Sequence, residues 1–322
     1  MRAAVIERFG ASPQYGEFAR PRPRPGQVLI RVEAAAINPV DIRMASGTFY
    51  GGAPKLPYVP GGEGAGTVVQ DGRSLQGKRV RFEVGRAESG GLAEWTAIDE
   101  AACSSIPDQL PSATAAGIGI AGVAAWISLV DKVRLRSGER VLILGATGTV
   151  GQLGVQIARL LGAGRVVAAG RDPAALARTL ELGADAIVAI AGQSVQDLAA
   201  EFEAAAGGPL EVVLDPLWGL PVMAATAACG QSARIVHLGQ SAGAEATFTS
   251  AIVRGRQLTI LGHANPSTPL EKRTAAFRAL AEHVAAGRIR IAIEELPLSA
   301  IASAWARQTT SPHVKLVLLP GH

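Results

Sequence analysis

VLILGATGTVGQLGVQIARLLG, residues 141–162, is the stretch from which the rest of the chain can be read. The apolar run Val141–Leu144 stops at three glycines spaced three apart, Gly145, Gly148 and Gly151. Apolar residues then recur at helical spacing through Val155, Ile157, Ala158 and Leu161. The pattern predicts a strand, a glycine turn and a helix. Glycine lets the chain turn tightly and lets backbone approach a phosphate, while the first helical turn offers unpaired N–H groups to an anion. Gly145, Thr147, Gly148, Thr149, Val150 and Gly151 are therefore the expected cradle of a dinucleotide pyrophosphate. The spacing is G-x-x-G-x-x-G and not G-x-G-x-x-G, so glycines that only pack helix on strand are the competing reading.

The flanking chain weighs on that choice. From Glu139 onward, apolar strands (RVVAAG, AIVAI, EVVLDP, ARIVHLG, QLTILG) alternate with helical patterns, which predicts a doubly wound parallel sheet covered on both faces. Ligands of such sheets lie at the carboxyl ends of the strands, so Asp215 and Gly239, at the ends of the fourth and fifth strands, are expected to face a cofactor. His237 reads as a packing histidine within its strand. Before residue 114 the texture is different: short strands such as Val28–Ala35 are separated by Gly- and Pro-rich turns, beginning with PRPRPG at 21–26. That is a compact, barrel-like β domain. An Ala-rich segment, Ala113–Val133, reads as a long helix at the boundary, 270–286 as an amphipathic helix, and VKLVLL at 314–319 as a strand returning to the first domain. The expected division is 1–114, 115–260 and 261–322, the last being the return to the β domain.

Composition excludes several classes. Among 322 residues, 48% are hydrophobic and 18% charged, which suits two globular domains. The net charge of +4 comes from scattered Lys and Arg with no run of like charge, so no nucleic-acid stripe is expected. Two cysteines far apart give neither a disulfide framework nor a metal cluster. The N-terminus lacks a signal-peptide apolar core and no segment has membrane-spanning character, so a cytoplasmic protein without membrane contacts is expected.

The order of PRPRPGQVLIRVEAAAINPVD (21–41), PGGEGAGTVV (60–69), GKRV (77–80), GGLAEW (90–95), the glycine stretch with its flanks (138–163), ELGADAIV (181–188) and the closing strand resembles the medium-chain dehydrogenase/reductases, in their zinc-free, quinone-oxidoreductase-like branch. The resemblance spans almost the whole chain. It implies an α/β architecture: a GroES-like β-rich catalytic domain plus a Rossmann domain. GATGTVG also resembles the opening motif of atypical short-chain reductases, but those carry it in the first strand, and here more than a hundred residues precede it.

The resemblance also implies site residues. Zinc-dependent relatives hold catalytic zinc with cysteine, histidine and a carboxylate or second cysteine; here Asn38 and Gly62 stand in the first two places and Glu63 is left alone. The stretch from Phe82 to Trp95 is too short and too poor in cysteine for the structural-zinc loop. No metal is expected, and the implied reaction is hydride transfer from NADP(H) to a small molecule, a quinone or an α,β-unsaturated carbonyl compound. Asn38 either hydrogen-bonds ribose or substrate or caps the turn before Pro39. Relatives carry a tyrosine a few residues on, where this chain has Arg43 and Phe49; Tyr50, one step off, is either a donor that orients substrate or an exposed loop residue. At the end of the second Rossmann strand, where an acid would bind the 2′-hydroxyl of NAD, stand Gly170 and Arg171, which leave room for a 2′-phosphate and a guanidinium to pair with it. Arg171 paired with Asp172, or Asp172 on a ribose hydroxyl, are the alternatives. His263 in LGHANP and Lys315 in VKLVLL fall where relatives approach the cofactor, against readings as a loop histidine and a solvated strand end. Relatives often dimerise through the edge strand at QLTILG, which implies a homodimer. Two other functions stay open: an NADPH-binding sensor or structural protein with little catalysis, and an enoyl reductase acting on carrier-bound substrates.

Overall fold

The computed structural model describes residues 1–84 and 89–321, so four residues of the stretch between Phe82 and Trp95 lie outside it. In chain order the strands are β1 Arg2–Val5, β2 Gln14–Glu17, β3 Gln27–Ala36, β4 Glu63–Gln70, β5 Arg79–Glu83, β6 Trp95–Asp99, β7 Cys103–Ser105, β8 Arg140–Leu144, β9 Arg165–Gly170, β10 Ala186–Ala189, β11 Leu210–Asp215, β12 Cys229–His237, β13 Thr259–Gly262, β14 Ile293–Pro297 and β15 Lys315–Leu319. The helices are α1 Pro39–Ala45, α2 Ser112–Gly117, α3 Ile120–Ile127, α4 Thr149–Leu160, α5 Pro173–Glu181, α6 Val195–Ala206, α7 Gly219–Ala228, α8 Ser250–Gly255, α9 Leu270–Ala285 and α10 Ile301–Gln308. Among the described residues no helix is long and apolar enough to cross a membrane.

The chain forms two compact units. The first comprises residues 1–121, 277–287 and 291 to the C-terminus, and is built on β3. This long strand pairs antiparallel with β4, β6 and β15, and the path continues from β4 to β5 and β7 and from β15 to β14. Val28, Ile30 and Val32 alternate inward from β3 as their spacing predicts, and pack with Ile6, Phe82, Leu92, Leu316 and Leu318 in the core. The closing strand does return to this unit, through Val317 opposite Ala36.

The second unit, residues 122–276 with 288–290, holds a six-stranded all-parallel sheet in the order β10-β9-β8-β11-β12-β13. Counted from β8 this is 3-2-1-4-5-6, the Rossmann order, with the reversal between β8 and β11. β8 and β9 are buried apolar runs because helices cover the sheet. Residues 261–276, expected in the return, belong to this unit, and the first crossing falls at 121/122. Residues 288–290 join it because the Gln156 side chain takes both backbone groups of Arg290, accepting from its N–H and donating to its carbonyl. The Ala-rich segment is also not one helix. It breaks at Gly117–Gly119, since a Cβ at Gly117 would press on the Ile293 side chain at 3.1 Å and one at Gly119 would strike the Glu63 carboxylate.

Candidate functional site

In the second unit, functional groups gather at the carboxyl ends of the parallel strands. The glycine turn links β8 to α4 as the spacing requires. Gly145 takes φ +58°, which a side chain tolerates poorly, and Gly148 N-caps α4 with no side chain over the helix end. Thr149 and Val150 form the first turn at a half-exposed surface, and Thr147 is buried with its carbonyl held by Gln152 Nε2 at 2.7 Å. A Cβ on Gly151 would sit 2.5 Å from Ala146 Cα, so the helix lies against its own turn. The cradle therefore has the open N–H groups and the close backbone that a pyrophosphate needs.

At the end of β9, a Cβ on Gly170 would touch Thr147, and Arg171 beside it is exposed. Asp172 is already engaged as the N-cap of α5, its Oδ1 accepting from the Ala175 N–H at 2.8 Å. Gly239 packs on the Pro216 carbonyl at the rim of β12.

Asp215 differs from its sequence expectation. It is fully buried, Oδ1 accepts from the N–H groups of Leu217 and Trp218 at 2.9 and 2.8 Å, and Oδ2 accepts from His237 Nδ1 at 3.0 Å. With both oxygens in use, the carboxylate shapes the strand end and presents no atom to a ribose. His237 ends β12, in register with Asp215, and its ring packs on Trp218 with centroids 4.1 Å apart. His263 is buried, its Nε2 2.9 Å from Asn265 Oδ1, and burial holds its pKa below the usual histidine value.

The first unit carries a separate cluster of buried charge. Glu63, with no exposed surface, is its hub: it accepts from Asn38 Nδ2 at 2.9 Å, from the Ile120 N–H at the start of α3, and from Arg81 at 3.4 Å, and Lys315 Nζ lies at 3.6 Å. Lys315 also donates to Asn38 Oδ1. Asn38 is thus engaged at both ends of its amide and only 2% exposed, which makes it a member of this cluster. Lys315 is equally far from the solvated strand end that the sequence allowed; burial pushes its pKa down while Glu63 opposes the shift. Asp41 closes the cluster, accepting from the backbone N–H groups of Asn38 and Gly62 at 2.7 and 2.8 Å. Tyr50 stands outside it, 81% exposed with its ring against Phe49, which matches the loop alternative.

Burial raises the Asp41 pKa to about 6, against the lowering effect of its two backbone donors. The native state therefore binds a proton that the unfolded chain has released between about pH 4 and pH 6, and this contribution to stability is lost as pH rises through that window. Asp41→Asn puts an amide N–H against one of two backbone donors and is expected to cost about 1 to 3 kcal/mol. The cost should be larger at pH 4.5 than at pH 7, read from urea unfolding of both proteins; an equal cost at the two pH values rejects the shifted carboxyl.

Two family models match the chain, the alcohol dehydrogenase GroES-like domain over residues 24–135 and the zinc-binding dehydrogenase domain over 149–284. Human quinone oxidoreductase is 36% identical across 50% of this chain and 50% of its own length. A chloroplastic NADPH-dependent alkenal/one oxidoreductase of Arabidopsis thaliana is 33% identical across 57% of this chain and 50% of its own. The matched region thus spans about half the length of these curated relatives. The crystal structure of an NAD-dependent alcohol dehydrogenase superposes with a TM-score of 0.89 at 28% identity, covering 99% of both chains. The glycine turn in its Rossmann sheet, the β unit closed by its own C-terminus, and these matches agree: the chain belongs to the medium-chain dehydrogenase/reductase superfamily, in its quinone-oxidoreductase-like branch.

Proposed function

We propose that the protein is a zinc-independent, NADPH-dependent reductase that delivers hydride to a quinone or an α,β-unsaturated carbonyl compound. The observation that carries this reading is the pairing of the open helix α4 N-terminus with Gly170 and exposed Arg171 at the next strand end. The first suits a pyrophosphate, the second a 2′-phosphate. Asp172, engaged as a helix cap, leaves Arg171 as the charged group expected to choose the cofactor. The names of the human and Arabidopsis relatives point to the same substrates, and the latter to the same cofactor. The bound nicotinamide supplies the hydride, so the protein's part is to hold, orient and exclude water.

The zinc-free part of the proposal rests on what surrounds Glu63. An ammonium, a guanidinium and a carboxamide already surround that carboxylate, and a cation there would meet the charge of Lys315. We further propose a cytoplasmic homodimer acting on a small molecule.

The test is NADPH consumption with a panel of quinones and enones, before and after exhaustive chelation. Saturable NADPH binding without turnover on any of them would favour the sensor reading, activity only on thioester enoyl substrates the carrier-bound one, and loss of activity on chelation would overturn the metal-free claim. For the cofactor, Arg171→Ala is expected to weaken NADPH binding by about 1.5 to 3 kcal/mol and leave NADH almost unchanged. An equal loss for both, measured by calorimetry, removes Arg171 from phosphate recognition.

A further inference from the structure

The pair of residues ending β11 and β12 takes no part in cofactor selection, and shaping the strand end accounts for Asp215 but not for His237. Asp215 and His237 face one another across adjacent parallel strands, and the buried carboxylate receives His237 Nδ1 at 3.0 Å. An ionised carboxylate only accepts, so Nδ1 carries the hydrogen and Nε2 is the ring nitrogen left for a ligand. The His237 side chain is 28% exposed, unlike Asp215 at 0%, so the ring is within a ligand's reach while its partner is not.

The surroundings are built at some cost. Trp218 lies over the imidazole with ring centroids 4.1 Å apart and is itself braced edge-on by Phe248 at 5.5 Å. Its backbone stands at φ 59° and ψ −158°, a region that belongs almost entirely to glycine and strains a residue with a Cβ. Asp215 Oδ1 holds that conformation through the N–H groups of Leu217 and Trp218. The loop after β12 is fastened over the same turn, with the Leu238 N–H on the Asp215 carbonyl and the Ala242 N–H on that of Leu217. Strain held in place by a buried carboxylate, beside a partly exposed imidazole of fixed tautomer, describes a ligand clamp better than a packing contact.

Its position selects the ligand. A Rossmann sheet is two mononucleotide-binding halves, and the strand-end rule puts a nucleotide across each. The glycine turn and Arg171 belong to the half made by β8, β9 and β10, and the pair belongs to the half made by β11, β12 and β13. We propose that His237 Nε2 accepts a hydrogen bond from the nicotinamide nucleotide of NADP(H), from a ribose hydroxyl or the carboxamide, and that Asp215 is the positioning residue that fixes the tautomer. The inference rests on the NADP(H) reading above.

The test compares two ligands by calorimetry: NADPH, and adenosine 2′,5′-bisphosphate, which has the adenosine half and its 2′-phosphate but no nicotinamide nucleotide. His237→Asn keeps an N–H near the Nδ1 position for Asp215 and has no atom at Nε2. It is expected to weaken NADPH about tenfold, the loss of one hydrogen bond, and to leave the bisphosphate within about twofold. His237→Gln, which carries a carboxamide out to the Nε2 position, should hold NADPH within about threefold of wild type and serves as the second variant if His237→Asn does not fold. Unchanged NADPH affinity in His237→Asn, equal weakening of both ligands, or weakening in His237→Gln as large as in His237→Asn overturns the proposal. Wild-type protein that takes up neither ligand overturns the cofactor reading itself, an outcome distinct from these.

Discussion

Glu63→Ala is expected to destabilise the protein by about 3 to 5 kcal/mol, the scale on which removing one side of a buried ion pair acts. Glu63 is without exposed surface and is shared by Asn38, Ile120, Arg81 and Lys315. Its loss strands the two cations unequally. Arg81 keeps Glu83 at 3.2 Å, whereas Lys315, its side chain 3% exposed, keeps among the described residues the neutral Asn38 as its hydrogen-bond partner and Asp41 as a more distant charge. A lysine so placed must either lose its proton or bring water in with it. Removing the cation together with the anion should therefore restore much of the loss, and Glu63→Ala/Lys315→Met is expected to recover about 1 to 3 kcal/mol over Glu63→Ala. Urea unfolding followed by circular dichroism measures both. A cost below about 1 kcal/mol for the single variant, or a double variant no better than the single, would show that the cluster is not organised around Glu63.

The elements legible in the sequence were those whose cause is local. The glycine turn declares itself in the change from a continuous apolar run to helical spacing, and the Rossmann strands in their lengths and apolar runs, so β8 to β13 are legible in number and in chain order. Strand pairing was not readable, and with it went the meaning of Asp215 and His237. They are 22 residues apart in sequence, and only the parallel register of β11 with β12 makes them neighbours. The sequence carries one signal, a glycine-containing turn after each strand; it marks Asp215 as a strand end, whereas His237 reads as lying within its strand. Lys315 and Asn38 are 277 residues apart, and no local pattern reports that the closing strand brings an ammonium to that amide. The break at Gly117–Gly119 has the same origin, because the side chains that fill the space at those glycines come from β14 and from Glu63. Glu63 itself reads in the sequence as a leftover zinc-site carboxylate. Its partners, which give it a different role, were hidden by distance in sequence.

The largest effect on cofactor binding is expected from Gly151→Ala. Helix propensity argues for a gain, since alanine is favoured over glycine inside a helix by about 1 kcal/mol. The contact geometry argues against it, because the added Cβ would lie 2.5 Å from Ala146 Cα and 2.8 Å from the Gly145 carbonyl carbon, and both are backbone atoms that no rotamer change can move. The helix must instead shift away from the turn. Overpacking of this kind costs about 1 to 3 kcal/mol, which outweighs the propensity term and makes the net change destabilising. The shift also carries the first-turn N–H groups away from the phosphate position, where a small displacement removes several hydrogen bonds at once. NADPH affinity is therefore expected to fall about a hundredfold or more, near 2.7 kcal/mol. Two neighbours calibrate the result. A Cβ on Gly154 presses on the end of the Leu214 side chain, at 2.5 Å, which can turn aside, and meets Ile143 at an ordinary 3.7 Å; a Cβ on Gly148 finds the Gly145 carbonyl oxygen at an ordinary 3.5 Å. Gly154→Ala should thus be close to neutral for NADPH and Gly148→Ala close to neutral for stability. Thermal melts with and without NADPH separate these outcomes, and a Gly151→Ala protein as stable and as tightly binding as Gly154→Ala would mean that the turn is not the phosphate cradle.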